Sequence, residues 1–447
     1  MTKKQSSTNN TIVLTIAGSD SGGGAGVAAD LKTFAALGVH GTCAITSVTA
    51  QNTTGVLDTF DLPPAAVTSQ IEAVCMDMDI KWVKTGMLAS PAIIREVAKE
   101  VKKHKLSLVL DPVMAAEAGG NLLREESLPV LIEELLPFCK VITPNALEAG
   151  ALAGISVKSP EDAKIAAKKI ADLCVEAVIV TGGHLDATDL LYETCSDTFT
   201  SIQGTFVSGG THGSGCTYSA AMAAFLAFGK SLEEAAKESK KFVMQAIMKS
   251  RPTGRGVNPV DPLGTTLEEK ERYLVLKNLK EAVLILEKSP DFQKYIPEDG
   301  CNIGMAIPGA HNLEEVAAVE DRIVRCGERA VHVGCVEFGA SRHIARIILS
   351  ALRYNPKIRA AINVRYSESN ISLCRKAGLS LYSFNRVEEP ENCTTRDWGI
   401  PEAVKSQKSI PKVVYDTGDL GKEPMIHLLG TNAVEIAKLV VELAEKS

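Results

Sequence analysis

The chain has 447 residues, 45% hydrophobic and 23% charged, so it can build sizeable cores, and disorder throughout is excluded. At roughly 150 residues per domain, the length allows about two to four domains. A formal net charge of −6 and an aromatic content of only 5% argue against a general nucleic-acid binder, which needs a basic footprint or stacking platforms, but leave room for a local pocket for small phosphorylated ligands.

The N-terminal stretch MTKKQSSTNN is basic and polar with no apolar core behind it, so it does not read as a signal peptide. Ile12–Ala17 predicts a strand, followed by a glycine-rich loop and a helix over 26–37. Short apolar runs at Lys81–Gly86, Ser107–Leu110, Val141–Thr143 and Ala177–Val180 each end in turn-forming or polar residues. Helical patterns at Pro91–Lys103 and Pro160–Cys174 lie between them. This alternation predicts βαβ units and a mostly parallel sheet, with ligands beyond the carboxyl ends of the strands. Residues 252–266 are dense in Gly and Pro and read as a linker, and a charged helix follows over 267–288. Strand-like runs at Ala330–Val336, Ala360–Val364 and Val413–Val414, with helical patterns at Leu313–Arg325, Arg342–Leu352 and Asn432–Ala444, predict a second α/β domain over 270–447. The longest apolar runs, such as Ala220–Phe228, fall short of the ~20 residues a membrane span needs. The 11 cysteines are scattered singly and odd in number, which argues for reduced thiols in a cytoplasmic protein rather than disulfides or a zinc cage.

Four segments of the first domain carry possible chemistry. Gly18-Ser19-Asp20-Ser21-Gly22-Gly23-Gly24-Ala25-Gly26, between a strand and a helix, could let backbone amides approach a ligand, yet it matches neither the dinucleotide fingerprint nor the P-loop. Gly229-Lys230-Ser231 is a helix end, because Ala224 stands where a P-loop needs its first glycine. Asn145 and Glu148, three apart, could hold a hydrated Mg²⁺ or simply cap a helix. Gly209-Gly210-Thr211-His212-Gly213-Ser214-Gly215-Cys216 leads into an apolar helix. It offers an anion nest and should favour the Cys216 thiolate, the alternative being a tight turn over a buried cysteine. His212 by itself carries no signal. The fourth set is Asp30, Gln51, Lys84–Met87 and Asp111: Gln51 offers a paired donor and acceptor suited to an aminopyrimidine edge, and Asp111 ends a strand where a carboxylate can face a magnesium nucleotide.

Together these motifs resemble the hydroxymethylpyrimidine/phosphomethylpyrimidine kinase family over residues 11–262. The resemblance rests on Thr15–Phe34, Ala50–Thr53, Lys84–Leu88, Leu110–Met114, Ile142–Asn145, Gly182-Gly183-His184 and His212–Cys216. It implies a ribokinase-like three-layer α/β domain over 1–264 that uses ATP and Mg²⁺ to phosphorylate 4-amino-5-hydroxymethyl-2-methylpyrimidine and then its monophosphate. It implies further that Gly18, Asp30, Gln51 and Met87 line the pyrimidine pocket. Cys216 would be the general base, with Gly213 and Gly215 steadying the transferred phosphoryl group. Asp111, Asn145, Thr181 and Gly183 would meet the nucleotide, with Asn145 and Glu148 at the metal. The chain departs from the family pattern at Thr181 (commonly Lys), Ser21 (Pro) and Ala28 (Gln).

In the second half, Gly339–Arg346 places Ser341, Arg342, His343 and Arg346 at the start of a helix, suggesting a phosphate site. Arg359–Tyr366 reads as a strand with polar groups on alternating faces, and Asp416–Pro424 is a Gly/Asp-rich loop that is either a diphosphate or Mg²⁺ site or a plain turn. These motifs resemble the archaeal-type thiamine-phosphate synthase domain found fused to this kinase. The resemblance implies coupling of the pyrimidine diphosphate to a thiazole phosphate with release of diphosphate. Arg322, within a helical pattern, and His343 are the expected catalytic groups, with Arg342, Asn363 and Lys422 in support. Related domains sense thiamine phosphate instead, and pyridoxal-type kinases share the kinase superfamily, so both stand as alternatives. Small-molecule partners, a cytoplasmic location, no membrane or nucleic acid, and a homodimer or higher homo-oligomer complete the expectation.

Overall fold

The computed structural model describes residues 11–115, 122–124, 126–183, 186–384, 400–402, 409–418 and 423–447. The chain divides into two compact units, Met1–Thr266 and Leu267–Ser447. The described residues of the first build a nine-stranded sheet from β1 (Ile12–Asp20), β2 (His40–Asn52), β3 (Gly55–Asp61), β4 (Trp82–Thr85), β5 (Ser107–Leu110), β6 (Cys139–Ile142), β7 (Ala177–Val180), β8 (Asp189–Glu193) and β9 (Thr198–Ile202). Its order is β3-β2-β1-β4-β5-β6-β7-β8-β9. The strands from β2 to β7 run parallel, while β3, β8 and β9 pair antiparallel to their neighbours at the edges.

Strand alternation explains the three layers. Leu14, Leu108, Leu110, Ile142, Val178 and Val180 enter one core, with helices Pro64–Cys75, Pro91–His104 and Pro160–Ala171. Val13, Val109, Val141, Ala177 and Ile179 enter the other, with helices Gly26–Ala36, Ser214–Ala227 and Leu232–Met248. A sheet buried on both faces needs such continuous apolar strands. Local chemistry sets the helix ends. Ser90 caps a helix that has Pro91 at its first position, and Ser159/Asp162 and Ser231/Glu234 form capping boxes.

The second unit has its own core, to which helix Gly264–Lys288 contributes Val275, Leu279, Ala282, Val283 and Leu286. Its described strands are β10 (Ile303–Ala306), β11 (Val316–Val319), β12 (Ile323–Cys326), β13 (Arg329–His332), β14 (Val336–Phe338), β15 (Ala360–Arg365), β16 (Leu381–Phe384), β17 (Val413–Asp416) and β18 (Met425–Gly430). The main sheet runs β14-β11-β10-β15-β18-β17-β16, and β12–β13 form a separate hairpin. Pairing is antiparallel except between β16 and β17. Helices Arg342–Leu352 and Ala433–Ala444 pack on this sheet.

The helix expected over 313–325 is absent. After a short 3₁₀ turn at Leu313–Glu315 the chain forms β11, a turn at 320–322, and β12. Leu313, Val316 and Ala317 mimic helical spacing, but Val316–Val319 is buried at every position and belongs to the sheet. Arg322 therefore lies in a turn, at φ +86°, and not on a helix.

Candidate active site

The parallel strands end at a cavity of about 780 Å³, large enough for a small alcohol beside a nucleotide. Of the first-domain residues singled out in the sequence, Gly18, Gln51, Met87, Asp111, Asn145, Glu148, Thr181, Gly183, Gly213, Gly215 and Cys216 all line it.

Asp30 does not. It is fully buried, where its Oδ2 accepts the Thr15 hydroxyl at 2.6 Å and Lys84 Nζ lies 3.0 and 2.9 Å from its two oxygens. Its position on an inward face of the first helix removes it from the wall, so it neutralises Lys84 instead of meeting ligand. Lys84 Nζ is also 3.9 Å from Asp111 Oδ2. Burial alone would lower the Lys84 pKa, but the carboxylates of Asp30 and Asp111 outweigh it and hold the ammonium charged.

Two loops interlock at one end of the cavity. Asp20 Oδ1 accepts the Gly22 amide at 2.8 Å, and Oδ2 accepts those of Gly24 at 2.9 Å and Ala25 at 2.8 Å. His212 Nε2 lies 3.0 Å from the same Oδ2. Burial would raise the Asp20 pKa, but His212 and the three amides outweigh it and keep the carboxylate ionised. Gly213 has φ +82°, and a Cβ there would lie 1.8 Å from the Gly24 carbonyl oxygen. Glycine is thus required both for the backbone angle and for the approach of the loops. The helix Ser214–Ala227 starts immediately after, with no side-chain cap; the Ser214 amide donates to the Thr211 carbonyl at 2.9 Å, and Gly215 and Cys216 bring the next amides to the cavity wall, where an anion can meet them.

Cys216 sits in the first turn of that helix, and its protonation differs from the expectation. Burial pushes the thiol up to about 12; Lys84 opposes this, while Asp111 and Asp30 reinforce it. Removal from water together with two carboxylates outweighs the helix terminus, so Cys216 is a thiol at neutral pH in the ligand-free protein.

Across the cavity, Asp111 accepts the Ser219 hydroxyl at 3.0 Å, and burial raises its pKa. Glu148 is pushed up to about 8 by burial and by the nearby charge of Asp111. Asn145 Oδ1 is committed to the amides of Leu147 at 2.9 Å and Glu148 at 3.0 Å, and Glu148 Oε2 accepts the Asn145 amide at 2.9 Å. The Asn145/Glu148 pair is therefore a capping box, and Asn145 has no free amide oxygen lone pair in simple reach of a metal while that cap holds both amides. Two buried carboxylates facing one cavity fit a hydrated divalent cation, which would relieve their mutual repulsion. No cluster of three or more His, Cys, Asp or Glu suited to a fully protein-bound metal occurs among the described residues.

Sequence reasoning missed several wall residues. Asp189 accepts the Gly182 amide at 2.7 Å and pairs with Lys240 Nζ at 2.7 Å, bracing the loop that carries Thr181 and Gly183. Val243, Met244 and Ile247 give that end an apolar side. Asp20 and His212 stood inside quoted motifs, but Asp189 and Lys240 lie in an ordinary strand and helix, where no local signal marks them.

In the second unit, Arg322 is exposed and donates to the Asp299 carbonyl, packing beside Gly300. Asn363 Oδ1 accepts the Asn302 amide at 2.8 Å, and its Nδ2 donates to the Gly300 carbonyl at 3.2 Å. Buried in the central strand, its amide braces β15 against the segment that leads into β10. Asn363 pairs across the ladder with His427, whose Nε2 lies 3.4 Å from that of His343. Arg342 is exposed at the start of its helix, and Lys422 and His184 lie outside the described residues.

Comparison with known proteins bears on both units. Residues 20–261 match the family model described as phosphomethylpyrimidine kinase, and residues 278–442 match that of thiamine-phosphate synthase ThiN. The bifunctional thiamine biosynthesis protein ThiDN of Methanocaldococcus jannaschii is 37% identical over 435 residues, covering 96% of this chain and 97% of that protein. The hydroxymethylpyrimidine/phosphomethylpyrimidine kinase of Rhizobium meliloti is 44% identical over 257 residues, 56% of this chain and 96% of that one. Among solved structures, the ADP complex of Bacillus subtilis pyridoxal kinase superposes with a TM-score of 0.53 at 37% identity, covering 57% of this chain and 98% of that one. The chain therefore belongs to the phosphomethylpyrimidine kinase family, as a bifunctional thiamine-biosynthesis homologue in which a ribokinase-like kinase domain is followed by a thiamine-phosphate synthase domain.

Proposed function

We propose that the first unit phosphorylates 4-amino-5-hydroxymethyl-2-methylpyrimidine and its monophosphate at the cavity just described, and that the second joins the resulting diphosphate to a thiazole phosphate. The carrying observation is that one cavity presents the Gln51/Met87 wall, the amides at the start of helix Ser214–Ala227 and the Asp111/Glu148 carboxylates together. The pyrimidine lies against Gly18, Gln51 and Met87. ATP lies along Thr181 and Gly183, with its base against Val243, Met244 and Ile247. Amides at Gly213, Gly215 and Cys216 receive charge that develops on the transferred phosphoryl group, where positioning and charge neutralisation do most of the catalysis. Cys216 orients the substrate hydroxyl and takes its proton as the thiolate, a form that the Lys84 ammonium favours and that a cation bound with the nucleotide would favour further. Asp111 and Glu148 would hold Mg²⁺, which would neutralise phosphate charge when bound. Arg322, Arg342 and His343, with Lys422, stabilise departing diphosphate in the second unit.

The functional division follows the two compact units. Homo-oligomerisation is supported by exposed Val48, Leu57 and Phe60 on β2 and the edge strand β3, where Val48 and Phe60 are directly paired. A cytoplasmic site is supported by free thiols, and among the described residues no helix is long and apolar enough to cross a membrane. Purified protein given ATP, Mg²⁺, the pyrimidine alcohol and thiazole phosphate should yield thiamine phosphate. Pyrimidine diphosphate without that product would overturn the coupling step. The likeness to pyridoxal kinases supports a second reading, weak pyridoxal phosphorylation at the same cavity, and the ratio of specificity constants for the two alcohols decides it.

A further inference from the structure

Gln51 is almost fully buried, and the hydrogen bonds around it leave one orientation of its amide. Thr49 Oγ1 lies 2.8 Å from the Ser19 carbonyl and 3.3 Å from one terminal atom of the Gln51 amide. A hydroxyl has a single proton. The carbonyl can only accept, so that proton goes to Ser19, and Thr49 Oγ1 must accept from Gln51. The other terminal atom of the amide lies 3.4 Å from His212 Nε2. That nitrogen also faces Asp20 Oδ2 at 3.0 Å. Asp20, which already accepts three backbone amides, is an acceptor, so His212 carries its proton on Nε2. An NH₂ group there would set donor against donor, and the amide must present its oxygen to His212. Two independent contacts thus require the same assignment: Gln51 NH₂ toward Thr49 and Gln51 oxygen toward His212. Hydrogen-bond networks are what fix side-chain amides in this way.

This orientation has a chemical consequence, which rests on the reading of Gln51 as the group that meets the pyrimidine. An aminopyrimidine offers its amino group as donor beside a ring nitrogen as acceptor. The carbon bearing the amino group adjoins the carbon bearing the reacting hydroxymethyl group. The order of oxygen and nitrogen on the amide therefore decides which way round the ring lies and where the hydroxyl points. We propose that Thr49 and His212 are positioning residues that lock the Gln51 amide, through the chain Ser19–Thr49–Gln51–His212–Asp20, in the one orientation that reads the 4-amino group and directs the hydroxymethyl toward Cys216.

The test compares specificity constants for the 4-amino alcohol and for the same alcohol with hydrogen in place of the amino group, on full-length protein. Because both are measured on one preparation, any loss of folded enzyme cancels in the ratio. Thr49→Val, which keeps the shape and removes the acceptor, is expected to cut the preference for the amino compound about tenfold, while Thr49→Ser retains it. Gln51→Leu is expected to abolish the preference. An unchanged preference in Thr49→Val alongside its loss in Gln51→Leu overturns the locking role, and an unchanged preference in Gln51→Leu overturns the reading of Gln51 itself.

Discussion

Cys216 and Glu148 show how one site shifts two groups through burial. The Cys216 thiol is pushed up to about 12, so at pH 8 the thiolate fraction is on the order of 10⁻⁴. Alkylation at pH 8 in ligand-free protein should therefore be slower at Cys216 than at the exposed Cys174 and Cys195, as read by peptide mass spectrometry. Cys216→Ala should still lower phosphoryl transfer about tenfold or more, while largely sparing coupling in the second unit. Glu148 keeps its proton to about 8 in the folded protein, against 4.5 for the free side chain. Between those values the folded state binds more protons than the unfolded state, so stability falls as pH rises through this window. Glu148→Gln should match the parent at about pH 4 and exceed it near pH 9 by on the order of 1–3 kcal/mol, measured by unfolding of the kinase unit. The same variant should need more Mg²⁺ for half-maximal kinase activity.

Among the elements, helix Ser214–Ala227 matters most to the kinase. It is apolar nearly all round and buried along most of its length, which fixes its first turn at the ends of the parallel strands. Gly213 joins that turn to the first glycine loop. Gly213→Ala introduces a Cβ 1.8 Å from the Gly24 oxygen at φ +82°, so one loop must move. A destabilisation of about 2 kcal/mol and a loss of kinase activity larger than that of Cys216→Ala are expected, from calorimetry and steady-state kinetics. β10 and β15 act comparably in the second unit, where Asn302 and Asn363 join the strands and Asn302 also bonds both backbone groups of Val319 on β11.

For the whole molecule, two separate cores predict two separable activities. Helix Gly264–Lys288 contributes its apolar face to the second core, so the division should leave it intact. A protein of residues 1–263 should phosphorylate the pyrimidine alcohol, and one of 264–447 should couple the diphosphate. Assay of each half alone checks this, and loss of phosphorylation in the first would mean that the kinase needs the second unit.

A parallel sheet, a second α/β domain and most of the cavity wall are legible in the chain's local pattern. Glycine loops, strand-end carboxylates and Gln51 sit at loop and strand termini, where local pattern and chemistry coincide. What each group does there depends on contacts made by segments far apart in the chain. Asp30 looked like a ligand group, but lies on a helix face that turns it inward to Lys84. Cys216 at a helix start reads as acidic, but burial, reinforced by carboxylates from other elements, reverses the sign. Arg322 moved from a supposed helix to a turn, because Val316–Val319 fills a sheet position that its spacing alone could not distinguish from a helix. Asp189, Lys240 and the His212–Gln51 contact bring together residues 51 to 161 positions apart, and hydrogen bonds at that separation leave no local trace in a chain.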